Sequence, residues 1–340
     1  MEKINMQAWL SELKESKTKK SMPILSFPSV QLMGLSVNEM LSTAESQAKA
    51  MQLVAEKTPS LAAVGFMDLS VEAECFGSNI IFQDNEIPTV SGAIVNDLEE
   101  AEALAVPKVG DKRSGLYIDA IKIASQTIND RPVFAGAIGS FSLAGRLLDV
   151  TEALMCCYTD PDLLHTVLKK STEFIIEYVK AFKRAGANGV IIAEPLTGLL
   201  SPDLADEFST PYVKKIVEEA QDEFFTVIYH NCGNTALQII DSILKTEAGA
   251  YHFGNAIDIC DILKSVPSNT IVMGNIDPVE QFKNGTPESM KQAVKELLSR
   301  CANYKNFVIS SGCDIPPSAS WNNINAYYEA IEEYYKNPVF

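Results

Sequence analysis

Short apolar segments alternate along the chain with longer amphipathic ones. The apolar segments are rich in Val, Ile, Ala and Phe, a composition typical of strands buried on both faces of a parallel sheet. They predict eight strands, at residues 23–27, 61–66, 132–138, 189–194, 226–230, 249–253, 270–274 and 307–311. The amphipathic segments between them predict helices, among them 161–185, 202–222 and 287–302. Two of these helices begin with an N-cap residue followed by proline, at Asp160-Pro161 and Thr286-Pro287.

Eight strands alternating with helices predict an α/β fold, a single (β/α)8 TIM barrel. The connection between residues 66 and 132 is too long for a simple crossover, so the barrel carries a longer insertion after the second strand. This insertion either forms a wall of the substrate site or is an extra strand pair with no role in binding. The chain shows no internal repeat and no linker. We therefore expect one domain over residues 1–340, with residues 1–20 as an N-terminal helical extension.

Composition and charge narrow the range of partners. The chain has 340 residues, of which 46% are hydrophobic and 21% charged, as in ordinary globular proteins with a sizeable core. A formal net charge of −16 argues against nucleic acid or an anionic membrane as a partner, because both repel an acidic surface. The first 20 residues are polar and lysine-rich, unlike a secretion signal, and seven cysteines suit reduced thiols. We expect a cytoplasmic protein.

Three residues with metal-binding side chains follow predicted strands. His230 ends the fifth strand with Cys232 two residues on, and Cys313 follows the eighth strand. In barrels of this type, active sites lie at the carboxyl ends of the strands, so the three side chains are expected on one face. One imidazole and two thiolates suit zinc, which keeps a fourth position open when it is catalytic. The sequence therefore predicts a zinc site.

Several other polar residues are candidates for the same face of the barrel. Glu194 ends the fourth strand and is the first candidate for a catalytic residue. Asp68, Glu72 and Glu194 can each supply an oxygen to zinc, form a hydrogen bond to a zinc ligand or contact substrate, and the sequence does not choose among these roles. His252 either lines the pocket near the metal or packs in the barrel wall. Asn275, after the seventh strand, is a further candidate for binding a substrate.

Four motifs together resemble a known family. They are residues 67–77 (MDLSVEAECFG), residues 85–88 (NEIP), residues 274–278 (GNIDP) and the set His230-x-Cys232 with Cys313. They resemble the uroporphyrinogen decarboxylase superfamily and, within it, the zinc-dependent methylcobamide:coenzyme M methyltransferases of methanol and methylamine metabolism. The resemblance extends from about residue 23 to the C-terminus. The histidine and cysteine set is its specific part.

The resemblance implies a (β/α)8 barrel in which His230, Cys232 and Cys313 bind zinc. It also implies a methylated corrinoid as methyl donor, carried on a small corrinoid protein, and a small thiol such as coenzyme M as acceptor. In the chemistry that the resemblance implies, the zinc-bound thiolate attacks the methyl carbon on cobalt. Asp68, Glu72, His252 and Asn275 are then candidates for binding the substrate or the corrinoid. A free thiol has a pKa near ~8.5 and is mostly protonated at neutral pH, whereas coordination to Zn²⁺ deprotonates it.

Three other functions compete with this one. Decarboxylation of uroporphyrinogen needs an N-terminal cluster of arginines for the substrate carboxylates, and this chain has no arginine before Arg113. A corrinoid-linked methyltransferase with another donor or acceptor, such as an aryl ether, a halomethane or tetrahydrofolate, is the second. A protein that holds a corrinoid without turnover is the third, and it would have no need of the zinc ligands.

Overall fold

A computed structural model describes residues 4–336 and contains a curved parallel sheet of seven strands. The strands of this sheet neighbour one another in the order β1-β4-β5-β6-β7-β8-β9. Their bounds are β1 Ala63–Val64, β4 Val133–Ile138, β5 Gly189–Ala193, β6 Thr226–Asn231, β7 Ala250–Phe253, β8 Ile271–Ile276 and β9 Phe307–Ser311. The remaining two strands, β2 Asn79–Gln83 and β3 Glu86–Ser91, form a separate antiparallel hairpin.

Helices connect the strands and surround the sheet. In the N-terminal half they are α1 Met6–Glu15, α2 Ser29–Met33, α3 Val37–Leu41, α4 Ala44–Lys57, α5 Val71–Phe76, α6 Leu98–Ala103, α7 Ser114–Thr127, α8 Ser140–Leu148, α9 Val150–Thr159 and α10 Pro161–Ala185. In the C-terminal half they are α11 Pro202–Phe208, α12 Thr210–Ala220, α13 Ile240–Leu244, α14 Ile259–Ser265, α15 Pro287–Cys301 and α16 Trp321–Lys336, with a 3₁₀ turn at Pro195–Leu199 and a π-helical turn at Pro278–Lys283.

The segment that begins at Ser21 closes the barrel between β9 and β1. Ser21 forms an isolated parallel bridge with Ile309, and the Met22 N–H donates to the Ile309 carbonyl at 3.1 Å. On the other side, the Leu61 N–H donates to the Ser21 carbonyl at 2.8 Å. The predicted (β/α)8 class is confirmed, but the pairing falls at Ser21 and Met22, just before the predicted first strand at residues 23–27. Pro23 has no N–H to donate, so the ladder does not continue through it.

The hydrophobic core has one layer inside the barrel and another between the strands and the helices. Helix α1 covers the end of the barrel where the strands begin, and it buries Met6, Trp9 and Leu13 against the inner layer. The rings of Trp9 and Phe134 lie 5.9 Å apart at their centroids. This helix lies within the predicted N-terminal extension, of which residues 1–3 fall outside the described part. Residues 337–340 also fall outside it.

Two of the three predicted helices form as single helices, and the third is divided. The Asp160 side chain caps α10 by accepting from the Leu163 N–H, and the Thr286 side chain caps α15. The segment predicted as one helix over 202–222 instead forms α11 and α12, with Ser209 between them. Pro211 explains the division, because it cannot donate to the preceding turn and is tolerated in the first turn of a helix.

The long insertion contains α5, the β2–β3 hairpin, α6 and α7 between β1 and β4.

No helix within residues 4–336 is both long enough and apolar enough to cross a membrane.

Candidate metal centre

The three predicted metal ligands lie at the carboxyl ends of β6 and β9. Side chains alternate between the two faces of a strand, so His230 points to the barrel interior like Ile228, two residues before it. Cys232 follows the last residue of β6, and Cys313 comes two residues after β9. The barrel therefore brings together residues that are 83 positions apart in sequence, His230 and Cys313.

One ligand atom from each of these residues lies within 4.8 Å of the others. The Cys313 sulfur lies 3.6 Å from His230 Nε2. Zn–S bonds of about 2.3 Å and Zn–N bonds of about 2.0–2.1 Å at a tetrahedral angle give a sulfur–nitrogen distance of roughly 3.5 Å. The donor types and their spacing thus fit a single zinc ion, and no other group of three such side chains lies this close among residues 4–336.

The two cysteines differ in their hydrogen bonding. The Cys313 thiol lowers the pKa of Cys232 by hydrogen bonding to its sulfur, and His230 lowers it further. The thiolate is the form of cysteine that binds metals. Cys232 is therefore the more readily ionised of the two thiols, whereas hydrogen bonding to Cys232 and burial raise the pKa of Cys313 well above its usual value.

A chain of hydrogen bonds determines which nitrogen of His230 carries the proton. The Ser310 hydroxyl donates to the Met22 carbonyl at 2.7 Å, so its oxygen accepts from His252 Nε2–H at 2.8 Å. His252 Nδ1 then accepts from His230 Nδ1–H, also at 2.8 Å. Burial lowers the pKa of His252 well below its usual value, which keeps this ring neutral. The lone pair of His230 Nε2 is consequently free for a metal, and it is this nitrogen that lies beside Cys313.

A cavity of about 250 Å³ adjoins the three ligands. Apolar side chains form most of its wall, among them Ile24, Met67, Leu69, Ile87 and Val90. Ile87 and Val90 belong to β3, so the insertion contributes a wall of the cavity rather than an unrelated strand pair.

Glu194 is buried and saturated with hydrogen bonds. It accepts from the backbone N–H groups of Phe141 and Ser142 at 2.9 and 3.0 Å, and from the Ser142 hydroxyl at 2.8 Å. Those groups belong to the first turn of α8, where a carboxylate is favoured by the helix dipole. Burial raises the pKa of Glu194 to about 7, and the hydrogen bonds oppose that shift. These hydrogen bonds hold the first turn of α8 against Glu194 at the end of β5.

The carboxylates of Asp68 and Glu72 also have partners within the protein. Asp68 forms an ion pair with Arg113 and accepts from the Tyr117 hydroxyl at 2.8 Å. Glu72 accepts from the Ile138 N–H at 3.0 Å, while its second oxygen has no hydrogen-bond partner within residues 4–336. Burial raises the pKa of Glu72 to about 8.

None of the four residues predicted to bind substrate or corrinoid, Asp68, Glu72, His252 and Asn275, is among those that line the cavity. Asn275 instead donates to the carbonyls of Gly254 and Ile257 at 2.9 and 2.8 Å, which ties the loop after β7 to β8. His252 packs in the barrel wall, which was the second of the two positions considered for it. It contacts the predicted metal ligand His230 there.

Two charged residues on the cavity wall were not predicted from the sequence. Arg146 lies in α8, and Asp314 directly follows Cys313. Burial lowers the pKa of Arg146 and raises that of Asp314 well above its usual range. The sequence could have indicated Asp314 as a site residue, because it directly follows the predicted ligand Cys313. It could not have indicated Arg146, because only the fold brings α8 to this cavity.

Most of the chain matches a known protein family. Residues 25–334 match the family described as uroporphyrinogen decarboxylase (URO-D). A methylcobamide:CoM methyltransferase, MtbA, from Methanosarcina acetivorans is 30% identical over 273 residues, 78% of each chain. A uroporphyrinogen decarboxylase from Coxiella burnetii is 28% identical over 295 residues, 81% of this chain and 78% of the relative.

A solved structure of a methyltransferase from Methanosarcina mazei has the same fold. It superposes with a TM-score of 0.86 and covers 96% of this chain and 98% of its own, at 23% sequence identity. Together with the sequence relatives, it confirms the resemblance predicted from the motifs, and the relatives support a methyltransferase. The chain belongs to the uroporphyrinogen decarboxylase family.

Proposed function

We propose that the protein transfers a methyl group from a methylated corrinoid to a small thiol such as coenzyme M, with zinc bound by His230, Cys232 and Cys313. The observation that carries this proposal is the group of three ligand atoms within 4.8 Å of one another beside a small cavity. Three protein ligands leave a fourth zinc position for a substrate. The similarity to methyltransferases named for methylcobamide and CoM supports the same donor and acceptor classes.

Zinc, when bound, would hold the acceptor as a thiolate at neutral pH. In the transfer, the sulfur forms a bond to the methyl carbon while the cobalt–carbon bond breaks. The electron pair of that bond stays on cobalt, which goes from Co(III) to Co(I), and the thiol proton is released. His252 and Ser310 keep His230 in the tautomer that presents Nε2, and apolar side chains exclude water from the reacting sulfur.

The corrinoid stays outside the cavity in this proposal. A volume of about 250 Å³ is below the roughly 300–1,000 Å³ of pockets for drug-sized ligands, and a corrinoid is larger than those. The connections that follow the strands of the parallel sheet, among them the β2–β3 hairpin, also expose large apolar side chains, which suits contact with another protein. They are Ile81, Phe82, Leu199, Leu237 and Val279. A small corrinoid protein that docks on these exposed side chains would bring the methyl group to the opening of the cavity.

The same cavity counts against uroporphyrinogen decarboxylation. That substrate has four pyrrole rings and many carboxylates, which require space and several cationic groups. In the described part of the chain, Arg146 is the only arginine that lines the cavity, and Arg113 is paired with Asp68 and Glu74. The observations therefore favour methyl transfer.

The experiment begins with zinc content, measured by elemental mass spectrometry on protein purified under reducing conditions. About one zinc per chain is expected for a single site of this ligand type. The zinc-loaded protein is then mixed with methylcobalamin and a thiol, and loss of the cobalt–carbon bond is followed by absorbance. Aryl ethers, halomethanes and tetrahydrofolate serve as competing donors and acceptors.

Cys156→Ser is the matched control, because Cys156 is a buried cysteine in α9 outside the metal group. It should retain zinc and thiol-dependent demethylation. Protein that takes up no zinc under these conditions would overturn the proposal. Zinc binding with demethylation that does not depend on a thiol would overturn the choice of acceptor.

A further inference from the structure

The guanidinium group of Arg146 lacks a partner among residues 4–336. It forms no hydrogen bond, ion pair or ring contact there, whereas Arg113 and Arg300 both pair with carboxylates. Its side chain is partly buried, and burial lowers its pKa with no nearby carboxylate to oppose that shift. The group is nevertheless charged at neutral pH, because arginine keeps its proton in proteins. A partly buried charge without a partner is costly, so a bound anion would stabilise it.

Helix α8 fixes the position from which Arg146 reaches the cavity. The first turn of the helix donates to Glu194, as described above. At its other end, the N–H groups of Ile94 and Val95 donate to the Leu147 carbonyl at 2.9 and 3.2 Å, which ties the helix to the segment that follows β3. Strand β3 itself contributes to the cavity wall. A side chain on a helix anchored at both ends is well placed to recognise one group of a ligand.

Arg146 provides the one cationic side chain of Lys or Arg type on the cavity wall in the described part of the chain. Asp314 also lines the cavity, but both of its carboxyl oxygens are buried, so they offer no surface to a ligand, and it forms no ion pair with Arg146. Most of the remaining wall is apolar, where a charge is screened less than on an exposed surface. The cavity thus favours a ligand with a negative group.

The same cavity is lined by the candidate zinc ligands His230, Cys232 and Cys313. Its volume of about 250 Å³ restricts the ligand to a compact molecule that meets both the metal group and Arg146. A guanidinium group binds an oxyanion through two parallel N–H···O bonds, which fixes orientation as well as charge. A thiol at one end and an oxyanion at the other are therefore the features that this cavity would recognise.

We propose that Arg146 is the specificity-determining residue for the methyl acceptor, and that it binds a sulfonate or carboxylate at the end of the acceptor opposite the thiol. This inference rests on the proposed function, which supplies the thiol as the reacting group. The remote contact orients the sulfur towards the methyl group and gives anionic thiols an advantage over neutral ones. A thiol with an ammonium group would instead place a second cation near Arg146, which is repulsive.

Thiols that differ in charge test this selection on the zinc-loaded wild-type protein. Coenzyme M and 3-mercaptopropionate are anionic, mercaptoethanol and 3-mercaptopropionamide are their neutral counterparts, and cysteamine is cationic. The kcat/KM of each thiol is measured with methylcobalamin. We expect each anionic thiol to exceed its neutral counterpart by at least about tenfold, or ~1.4 kcal/mol, with cysteamine the poorest acceptor. The higher of the two anionic values identifies the preferred oxyanion, and equal values for anionic and neutral thiols would overturn the inference.

Two substitutions at Arg146 assign the preference to this side chain. Arg146→Gln removes the charge and should reduce the preference for anionic thiols by at least about tenfold, chiefly through the KM for the thiol. Arg146→Lys keeps the charge without the paired hydrogen bonds and should retain part of the preference. Arg184→Gln is the matched control, because Arg184 is exposed in the last turn of α10 and does not line the cavity. It changes the net charge equally and should keep the full preference.

Three results with these variants would contradict the inference. Arg146→Gln with the wild-type preference would show that another group selects the acceptor. An equal loss in Arg184→Gln would mean that net charge, and not a contact in the cavity, causes the preference. A higher KM for methylcobalamin in Arg146→Gln, with an unchanged KM for the thiol, would assign Arg146 to the phosphate of the corrinoid. Should Arg146→Gln fail to fold, the wild-type series decides alone.

Ethanesulfonate and propionate separate a failure of this inference from a failure of the proposed function, because they carry the oxyanion without a thiol. Isothermal calorimetry measures their binding to wild type and to Arg146→Gln, with propionamide as the neutral control. If no thiol demethylates methylcobalamin but oxyanion binding depends on Arg146, methyl transfer to a thiol is rejected and the anion site remains. If thiols react but neither their preference nor oxyanion binding depends on Arg146, methyl transfer stands and the role of Arg146 is rejected.

Discussion

His230 and His252 face each other across neighbouring strands, with their Nδ1 atoms 2.8 Å apart and their rings nearly perpendicular, at 65°. They are paired in register on β6 and β7. Since Ser310 determines the proton positions of His252, the two histidines form a relay that leaves His230 Nε2 unprotonated, as the proposed coordination of zinc requires. Such partners of a metal ligand typically account for 10–100-fold in metal affinity.

Replacing His252 by Phe should therefore weaken zinc binding by about 10–100-fold, because His230 Nδ1–H loses its acceptor. The measurement is competition for zinc with a chromophoric chelator. Ser310→Ala should weaken binding less, since His252 would keep its contact with His230. Equal zinc affinity in His252→Phe and wild type would contradict the relay.

Cys313→Ser should remove zinc and abolish methyl transfer while the barrel stays folded, because a serine hydroxyl is a much poorer ligand than a thiolate. Zinc content and circular dichroism measure the two parts of this expectation. Retention of both zinc and full activity would mean that Cys313 is not a ligand.

Gly254 is packed against the candidate ligand Cys232, and a Cβ added there would lie 2.6 Å from the Cα and Cβ of that residue. Gly254→Ala should displace Cys232 and reduce zinc affinity by at least about tenfold, an effect of ~1.4 kcal/mol. Gly249→Ala is a matched control at the other end of β7, where the added carbon would meet the Thr226 hydroxyl. The control should lower thermal stability but leave zinc affinity unchanged, and a similar loss of zinc in both variants would reject the local explanation.

Glu194→Gln should lower the free energy of unfolding by about 1.5–3 kcal/mol, because an amide nitrogen would face the donors at the start of α8. Since α8 also carries Arg146, the rate of methyl transfer should fall while zinc content is retained. Denaturant unfolding, zinc analysis and the methylcobalamin assay are the measurements. Wild-type stability and rate would show that the anchoring of α8 by Glu194 has no functional consequence.

Glu72 should make stability depend on pH. Its pKa of about 8 in the folded protein lies above the ~4.3 of an exposed glutamate, so the folded state binds the proton more tightly. The resulting stabilisation is complete below about pH 4 and is lost as pH rises through 8, by at most ~1.4 kcal/mol per pH unit.

Glu72→Gln cannot titrate, so its free energy of unfolding should fall less between pH 5 and pH 8 than that of the wild type. Denaturant unfolding at pH 5, 6.5 and 8 measures both slopes, and Glu194, which also titrates, is present in both proteins. Parallel slopes would mean that Glu72 is ionised in the folded state throughout this range.

Local sequence was enough to predict the barrel and its candidate metal ligands. Continuous apolar runs such as 189–194 and 226–230 can be satisfied only by strands buried on both faces, and their alternation with helices leads to a barrel. Once the strand ends are known, the rule that barrel sites lie at those ends puts His230, Cys232 and Cys313 on one face. The first strand was less predictable, because the chain pairs at Ser21 and Met22, before Pro23.

Tertiary structure alone decided how the polar groups are used. Asp68 and Glu194 look equally capable of binding a ligand in the sequence, yet packing gives them Arg113 and the first turn of α8 as partners. Among residues 4–336, Arg146 and Asp314 at the same cavity are left without side-chain hydrogen bonds or ion pairs. A residue's own chemistry and strand position are local properties that sequence displays. Whether a charge is paired depends on which distant segments meet around it, and that is determined only when the chain folds.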